Sequence, residues 1–231
     1  FITISSYFEN PSQVKSEEKE NRGIIYDRNG AVLAASIESK SLSARPKFIK
    51  NSNHLAKELA KIIDIDENII KNKLLSGKKF VWLKRNITPS EHQKIIDLGE
   101  INLEFHTESK RIYPFKNTSS HIVGFVNIDQ IGQRGIERYF NKSLSNSKDI
   151  TLSIDINLQQ SIKNNLLETI NFYKADSGLA IVMDISNGEV LSSVSYPDFN
   201  PNDNQSFNKI NLINRVIQSN YEMGSTFKPL T

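Results

Sequence analysis

The chain has no cysteine among its 231 residues, which excludes disulfides, thiolate nucleophiles and cysteine-ligated metals. Histidine is nearly as scarce: His54, His92, His106 and His121 stand far apart, with no ligand-like pair, so neither a metal site nor a cofactor is expected. No run of about 18 apolar residues occurs, so the stretch contains no membrane span or signal sequence. An excess of one charge is lacking too. The formal net charge is only +3, and the basic residues are spread along the chain, which gives nucleic-acid binding no local support and favours a solvated lysine-rich surface. What is present is a 38% share of hydrophobic residues, enough to build cores in a length that suits one or two domains.

The segment whose residue types amount to a catalytic arrangement is Tyr221-Glu222-Met223-Gly224-Ser225-Thr226-Phe227-Lys228. A serine three residues before a lysine on the opening turn of a helix puts hydroxyl and amine on one face. A serine hydroxyl is a poor nucleophile at neutral pH, and a lysine desolvated by apolar neighbours can lose its proton and act as the base. Gly224 permits tight entry to the helix, whose N-terminus favours developing negative charge. The spacing alone does not decide. Ser-x-x-Lys also begins at Ser12, Ser16, Ser76, Ser145 and Ser206, and a solvated polar face is the plainer reading of any single copy. Ser225 alone has Gly224 before it and Phe227 and Pro229-Leu230 around the lysine.

Along the chain, residues 9–21 carry Lys15, Glu17, Glu18, Lys19 and Glu20 with Val14 as the one branched aliphatic, a composition unable to bury a core. Residues 1–21 therefore read as a linker or juxtamembrane segment, Phe1-Ile2-Thr3-Ile4 being either the outer end of an anchor helix or a frayed start. Ile24-Ile25-Tyr26 and Ala31-Val32-Leu33 predict two strands across an Asn29-Gly30 turn, with Asp27 and Arg28 at the turn. Helical spacing of Leu55, Leu59, Ile62 and Ile63, then of Ile69, Ile70, Leu74 and Leu75, predicts two short helices ended by Gly77. Phe80 to Leu83 reads as a strand with Trp82 buried in it. Thr88-Pro89-Ser90-Glu91 supplies N-cap, first-turn proline and capping-box glutamate for a helix with Ile95, Ile96 and Leu98 as its apolar stripe. From Ile101 to Asp149 short apolar pieces between polar turns suggest an irregular β-rich module, in which Arg111 and Glu137 are candidates for an ion pair.

A second domain is expected from about Thr151. Leu158, Ile162, Leu166 and Ile170 recur behind Asp155 as N-cap, predicting one long helix to about Tyr173. Residues 179–185 and 189–195 predict a hairpin across Asn187-Gly188. Tyr196 to Asn202 is extended and proline-punctuated, and little order is expected past about residue 196.

Tyr221 to Lys228 resembles the nucleophile motif of class B penicillin-binding proteins, the peptidoglycan D,D-transpeptidases. Arg22 to Gly30 resembles the opening motif of that family's N-terminal module, Arg111-Ile112-Tyr113-Pro114 with His121-Ile122-Val123-Gly124 its second, and Gly135-Ile136-Glu137 its third. Phe80 to Arg85 and Gly124 to Asp129 look most like the division-specific member. The resemblance implies an α+β fold: an elongated β-rich pedestal (dimerisation-type) module over 22–150, then the first part of a serine transpeptidase, β-lactamase-like domain over 151–231. It implies Ser225 as nucleophile and Lys228 as base, and D-alanyl-D-alanine stem peptides and β-lactams as ligands. A membrane-embedded glycosyltransferase and other division proteins follow as partners, and an inner-membrane anchor upstream would leave this region periplasmic.

Three departures stand out. Met223 occupies a position where many relatives have proline. The basic hairpin that often follows the third motif is missing, with only Asn141 to Ile150 in its place. No Ser-x-Asn and Lys-Ser/Thr-Gly follow Ser225 before Thr231, since Ser206-Phe207-Asn208 lies on the wrong side, so the stretch as given is expected to be inactive alone. Two other readings stay open: a non-catalytic interaction module of a wall-building assembly, and a β-lactam sensor or β-lactamase relative.

Overall fold

The computed structural model describes residues 21–203, 206–222, 224 and 228. Its spine is one strand, β2 (Val32–Ala44), which is longer than the three residues read from the sequence because its middle, from Ile37 to Lys40, is polar or exposed. β2 pairs antiparallel with β1 (Ile25–Tyr26) at one end, with β3 (Val81–Ile87) at the other, and along its length with β4 (Leu103–Ile112). Gly30, at φ +85°, closes the β1–β2 turn in the left-handed region that glycine enters without a Cβ penalty.

Because β2 spans both ends, its residues feed two cores. Leu42 and Ala44, with Leu83 of β3, pack with α1 (Ser52–Ile63), α2 (Glu67–Leu74) and α3 (Pro89–Asp97) through Leu59, Ile63, Ile70 and Ile95. The α3 capping box forms as predicted, with Thr88 Oγ1 accepting from Glu91 N and Glu91 Oε2 from Thr88 N. The stripe expectations are trimmed, since Ile69, Leu75 and Ile96 are exposed. Trp82 is a second correction. It is half-buried on an edge strand, edge-on to Phe80 and His106 with the Arg85 guanidinium over its ring, and so lies on the sheet face away from the helices.

Leu33 and Ala34 feed the other core, with Ile25, Tyr113, Val123, Leu144 and Ile156. Here the β-rich expectation for 101–149 fails after β4. The chain turns instead through α4 (Ser120–Val123), α5 (Gly135–Tyr139) and α6 (Asn141–Ser145), because Arg22, Arg111 and Glu137 hold these turns from inside. Gly124 and Gly135 approach so closely that a Cβ on Gly124 would sit 1.9 Å from the Arg134 carbonyl oxygen, which only glycine permits.

β5 (Ile150–Thr151) pairs parallel with β1, and α7 (Ile156–Tyr173) starts at the Asp155 N-cap. α7 packs on a two-stranded hairpin of β6 (Gly178–Met183) and β7 (Val190–Tyr196). Its most buried residues are Ile156, Gln159, Lys163 and Ile170, so the predicted Leu158–Ile162–Leu166 stripe is only half-covered and two polar side chains take the inner face. Among the described residues no helix is long and apolar enough to cross a membrane.

Candidate active site and the junction beneath it

Two residues carry the expected nucleophilic chemistry, and only one of them is described. Ser225 lies outside the described residues, as do Met223, Thr226, Phe227 and the helix expected to open there. Lys228 is exposed, and Gly224 lies in the left-handed backbone region at φ +50°. The competing Ser-x-x-Lys copies that are described have other work. Ser206 Oγ hydrogen-bonds Asp203 O at 2.6 Å and Asn200 O at 3.1 Å within its own loop. Ser76 Oγ donates to Lys73 O at 2.7 Å, and Ser145 Oγ accepts from Arg22 Nη1 at 3.1 Å.

The structure also shows the scaffold that leads to this segment. Gln159 on α7 is its hub: Nε2 donates to Thr118 O at 3.0 Å and Ser193 O at 2.9 Å, while Oε1 accepts from Ser192 Oγ and Ser193 N, both at 2.8 Å. All four hydrogen-bonding positions of the amide are used, so burying it carries no desolvation penalty left unmet. One turn further on, Lys163 Nζ lies 2.5 Å from Asp198 Oδ2, with only 6% and 11% of the two side chains exposed. Asn117 Nδ2 supports the other carboxylate oxygen of Asp198 at 3.3 Å.

Residues 197–203 are held in place by these contacts, contrary to the expectation of little order there, while much of the stretch from 223 onward lies outside the described residues. The Tyr196–Pro197 peptide is cis, and Phe199 is 2% exposed in an aromatic cluster with His121, Phe125 and Phe207. His121 Nε2 donates to Pro197 O at 3.1 Å. Burial pushes the His121 pKa below the ordinary imidazole value, against the opposing pull of the Pro197 carbonyl and the Asp198 charge. Asn202 clamps Tyr113, accepting from its N–H at 3.0 Å and donating to its carbonyl at 2.8 Å. Beyond it, Arg134 Nη1 reaches Leu212 O at 3.1 Å, and Ser195 Oγ accepts from Arg215 N at 3.0 Å at the start of α8 (Arg215–Gln218). An apolar cleft of about 700 Å³ lies between these elements, with Ile136, Tyr139, Ile154 and Ile217 among its walls but not Lys228.

The predicted Arg111–Glu137 pair forms, Nε to Oε1 at 2.7 Å, but it is one half of a triad: Arg22 Nε meets Glu137 Oε2, also at 2.7 Å, and Glu137 is fully buried. Burial raises the Tyr113 pKa, and the Glu137 charge beside it adds to the rise, so its phenol stays neutral. Asp27 is buried as a structural acceptor, and Arg28 makes an exposed pair with Glu189 at 3.3 Å. Sequence reading missed Gln159, Lys163 and Asp198. The available signal was the spacing of Gln159 and Lys163, four residues apart within an otherwise apolar helix face.

Comparison with known proteins agrees with this architecture. Residues 17–182 match the penicillin-binding protein dimerisation domain, and residues 178–231 match the penicillin-binding protein transpeptidase domain. The chain is 32% identical over 240 residues to the probable peptidoglycan D,D-transpeptidase PenA of Neisseria gonorrhoeae, covering 90% of this chain and 41% of that protein. It is 30% identical over 243 residues to the peptidoglycan D,D-transpeptidase FtsI of Escherichia coli K12, covering 91% and 41%. The FtsI of Buchnera aphidicola subsp. Schizaphis graminum is 33% identical over 242 residues, covering 90% and 43%. The chain thus spans about two fifths of the length of these curated relatives. A solved peptidoglycan synthetase from Bifidobacterium adolescentis superposes with a TM-score of 0.61 at 24% identity, over 92% of this chain and 49% of that one, a likeness of fold. From the matched domains and the fold beneath them, the chain belongs to the class B penicillin-binding proteins, carrying their dimerisation domain and running into their transpeptidase domain.

Proposed function

We propose that the whole protein is a peptidoglycan D,D-transpeptidase of septal wall synthesis, with Ser225 as nucleophile and Lys228 as its base. The observation that carries this reading is the match of residues 178–231 to a transpeptidase domain, taken with the Gly224-Ser225-x-x-Lys228 pattern inside it. Ser225 Oγ attacks the carbonyl between the two residues of a terminal D-alanyl-D-alanine, and Lys228 takes its proton. The terminal D-alanine leaves, and an amine on a neighbouring strand receives the acyl group and frees the serine. A β-lactam enters by the same attack, but its ring opens and nothing departs, so the acyl-enzyme persists.

The proposed organisation is a linker over 1–21, a pedestal over 22–150 and a transpeptidase part from 151, periplasmic and anchored in the inner membrane. A membrane glycosyltransferase and other division proteins are its proposed partners. Fluorescent penicillin labelling of the intact protein, with the labelled peptide mapped by mass, tests the assignment. Label is expected on Ser225, lost in Ser225→Ala and slowed by roughly 100-fold or more in Lys228→Ala. Labelling that survives Ser225→Ala sinks the assignment. Absence of label in the intact protein favours a non-catalytic interaction module, and rapid loss of label by hydrolysis favours a β-lactamase relative.

A further inference from the structure

Among the described residues, one stretch of β4 has an edge without a neighbour. β4 pairs antiparallel with β2 from Leu103↔Ala44 to Ile112↔Ala35, and one step beyond, the Arg45 N–H donates to Asn102 O at 2.9 Å. In such a ladder, residues alternate between turning both main-chain groups toward the partner strand and turning both away. The Arg45–Asn102 bond sets the phase. Glu104, His106 and Glu108 face β2, whereas Leu103, Phe105, Thr107 and Ser109 face outward. Two contacts agree with this phase: Ser109 O accepts from Gln130 Nε2 at 3.0 Å, and Tyr113, further along, exchanges both of its main-chain hydrogen bonds with Asn202.

Gln130 and Asn202 therefore cover the edge from Ser109 onward, and at the other end the Leu103 N–H turns back to Glu100 O at 3.3 Å. Between these ends, Phe105 and Thr107 make no outward main-chain hydrogen bond among the described residues. Thr107 is exposed, and three large apolar side chains stand exposed around the same end of the sheet: Ile101 at 90%, Phe48 at 58% and Phe80 at 42%. Phe48 is tied to this end through its carbonyl, which accepts from Asn102 Nδ2 at 3.3 Å, and Phe80 packs edge-on to His106. An open strand edge with apolar surroundings is a template for pairing with another strand.

We infer that the strand this edge takes is β4 of a second copy, paired antiparallel about a two-fold axis at Phe105. Axes at the neighbouring positions fail. One at Thr107 brings the partner strand onto Gln130, and one at His106 sets Glu104 against the partner's Glu108. An axis at Phe105 avoids both. Each Phe105 then exchanges its N–H and C=O with the other, and each Thr107 N–H donates to the partner's Leu103 O. Each Glu104 stands across from the partner's His106, whose Nε2 is taken by Ser43 Oγ at 2.8 Å and whose other ring nitrogen is left to meet it. The two Phe105 side chains meet on the face that carries α3, where His92 already packs edge-on to Phe105. Such a pairing is isologous, so every contact occurs twice and the assembly closes at two copies. So short an edge buries little surface, which sets the association in the weak range.

Sedimentation velocity of the 231-residue chain, from about 5 µM to about 500 µM, tests this. A monomer–dimer equilibrium with a dissociation constant on the order of 100 µM is expected, and amide hydrogen exchange at Phe105 and Thr107 should slow as concentration rises. Thr107→Pro deletes an outward N–H and leaves the β2 ladder intact, a change that edge strands tolerate. It should weaken association about tenfold or more while the dilute chain still melts cooperatively. His106→Lys fixes a positive charge opposite the partner's Glu104 and should tighten association about threefold, whereas His106→Glu should weaken it about fivefold. A monomer throughout the range overturns the inference, as does association that leaves exchange at Phe105 and Thr107 unchanged or that is indifferent to Thr107→Pro.

Discussion

Asp27 and Ile156 are 129 residues apart, and the Asp27 Oδ2 accepts the Ile156 N–H at 3.1 Å. The other oxygen of the same carboxylate accepts from Asn29 N at 2.8 Å and Ala31 N at 2.7 Å, so one fully buried side chain shapes the β1–β2 turn and ties it to the first turn of α7. The N-terminal end of α7 also favours a negative charge at this place. Asp27→Asn puts an amide where three donors need acceptors, and one of its two polar atoms is itself a donor. We expect a loss of roughly 1–3 kcal/mol in urea unfolding of the 231-residue chain, with Asp27→Ala at or above the upper end. A change below about 0.5 kcal/mol in both would show that the carboxylate is dispensable.

Lys163 and Asp198 give a double-mutant prediction. Removing one partner of a buried ion pair strands the other, which typically costs about 3–5 kcal/mol, whereas replacing both with residues of similar shape is far cheaper. Lys163→Met should therefore destabilise strongly, and Lys163→Met with Asp198→Asn should recover most of the loss, as read by denaturant midpoints. Additive effects in the double variant would mean that the two groups do not interact.

The proposed division at residue 150 predicts two different outcomes for two shorter chains. Residues 21–150 keep the whole core around Leu42 and Leu59 and should unfold cooperatively on heating. They lose Leu152, Ile156, the Thr151 half of the β5 pairing with β1 and the Ile156 N–H that Asp27 accepts. A chain of residues 21–175, which restores these, should melt at a higher temperature. A non-cooperative 21–150 chain would place the boundary wrongly, and equal melting temperatures would deny the shared core any weight.

His121 predicts a pH dependence. Its folded pKa lies below the unfolded value near 6.5, chiefly through burial, so the unfolded state binds the extra proton more readily. The contribution is fully present above about pH 6.5 and is lost as pH falls through that value toward the folded pKa. His121→Gln retains an N–H for Pro197 O but cannot titrate, so stability should fall less steeply for it than for the parent between about pH 7 and 5. Identical slopes would remove His121 from the account.

Much of this protein was legible in the sequence because local chemistry decided it. Thr88-Pro89-Ser90-Glu91 carries its capping box within one turn, Asn29-Gly30 and Asn187-Gly188 mark their hairpins, and Asp155 caps α7, all through interactions spanning a few residues. Strand and helix patterns failed where distant partners set the outcome. Residues 113–145 coil into short helices around Glu137 because Arg22 comes back from over a hundred residues away to hold it, and a buried charge must be met by whatever charge the fold can bring. Lys163 turns inward on α7 only because Asp198 awaits it across the junction, so helical periodicity, which counts apolar residues, assigned the inner face to its neighbours. The Ser225–Lys228 spacing was readable in the chain. The environment that would make Lys228 a base belongs to tertiary structure, since desolvation depends on what packs against an amine and not on what precedes it.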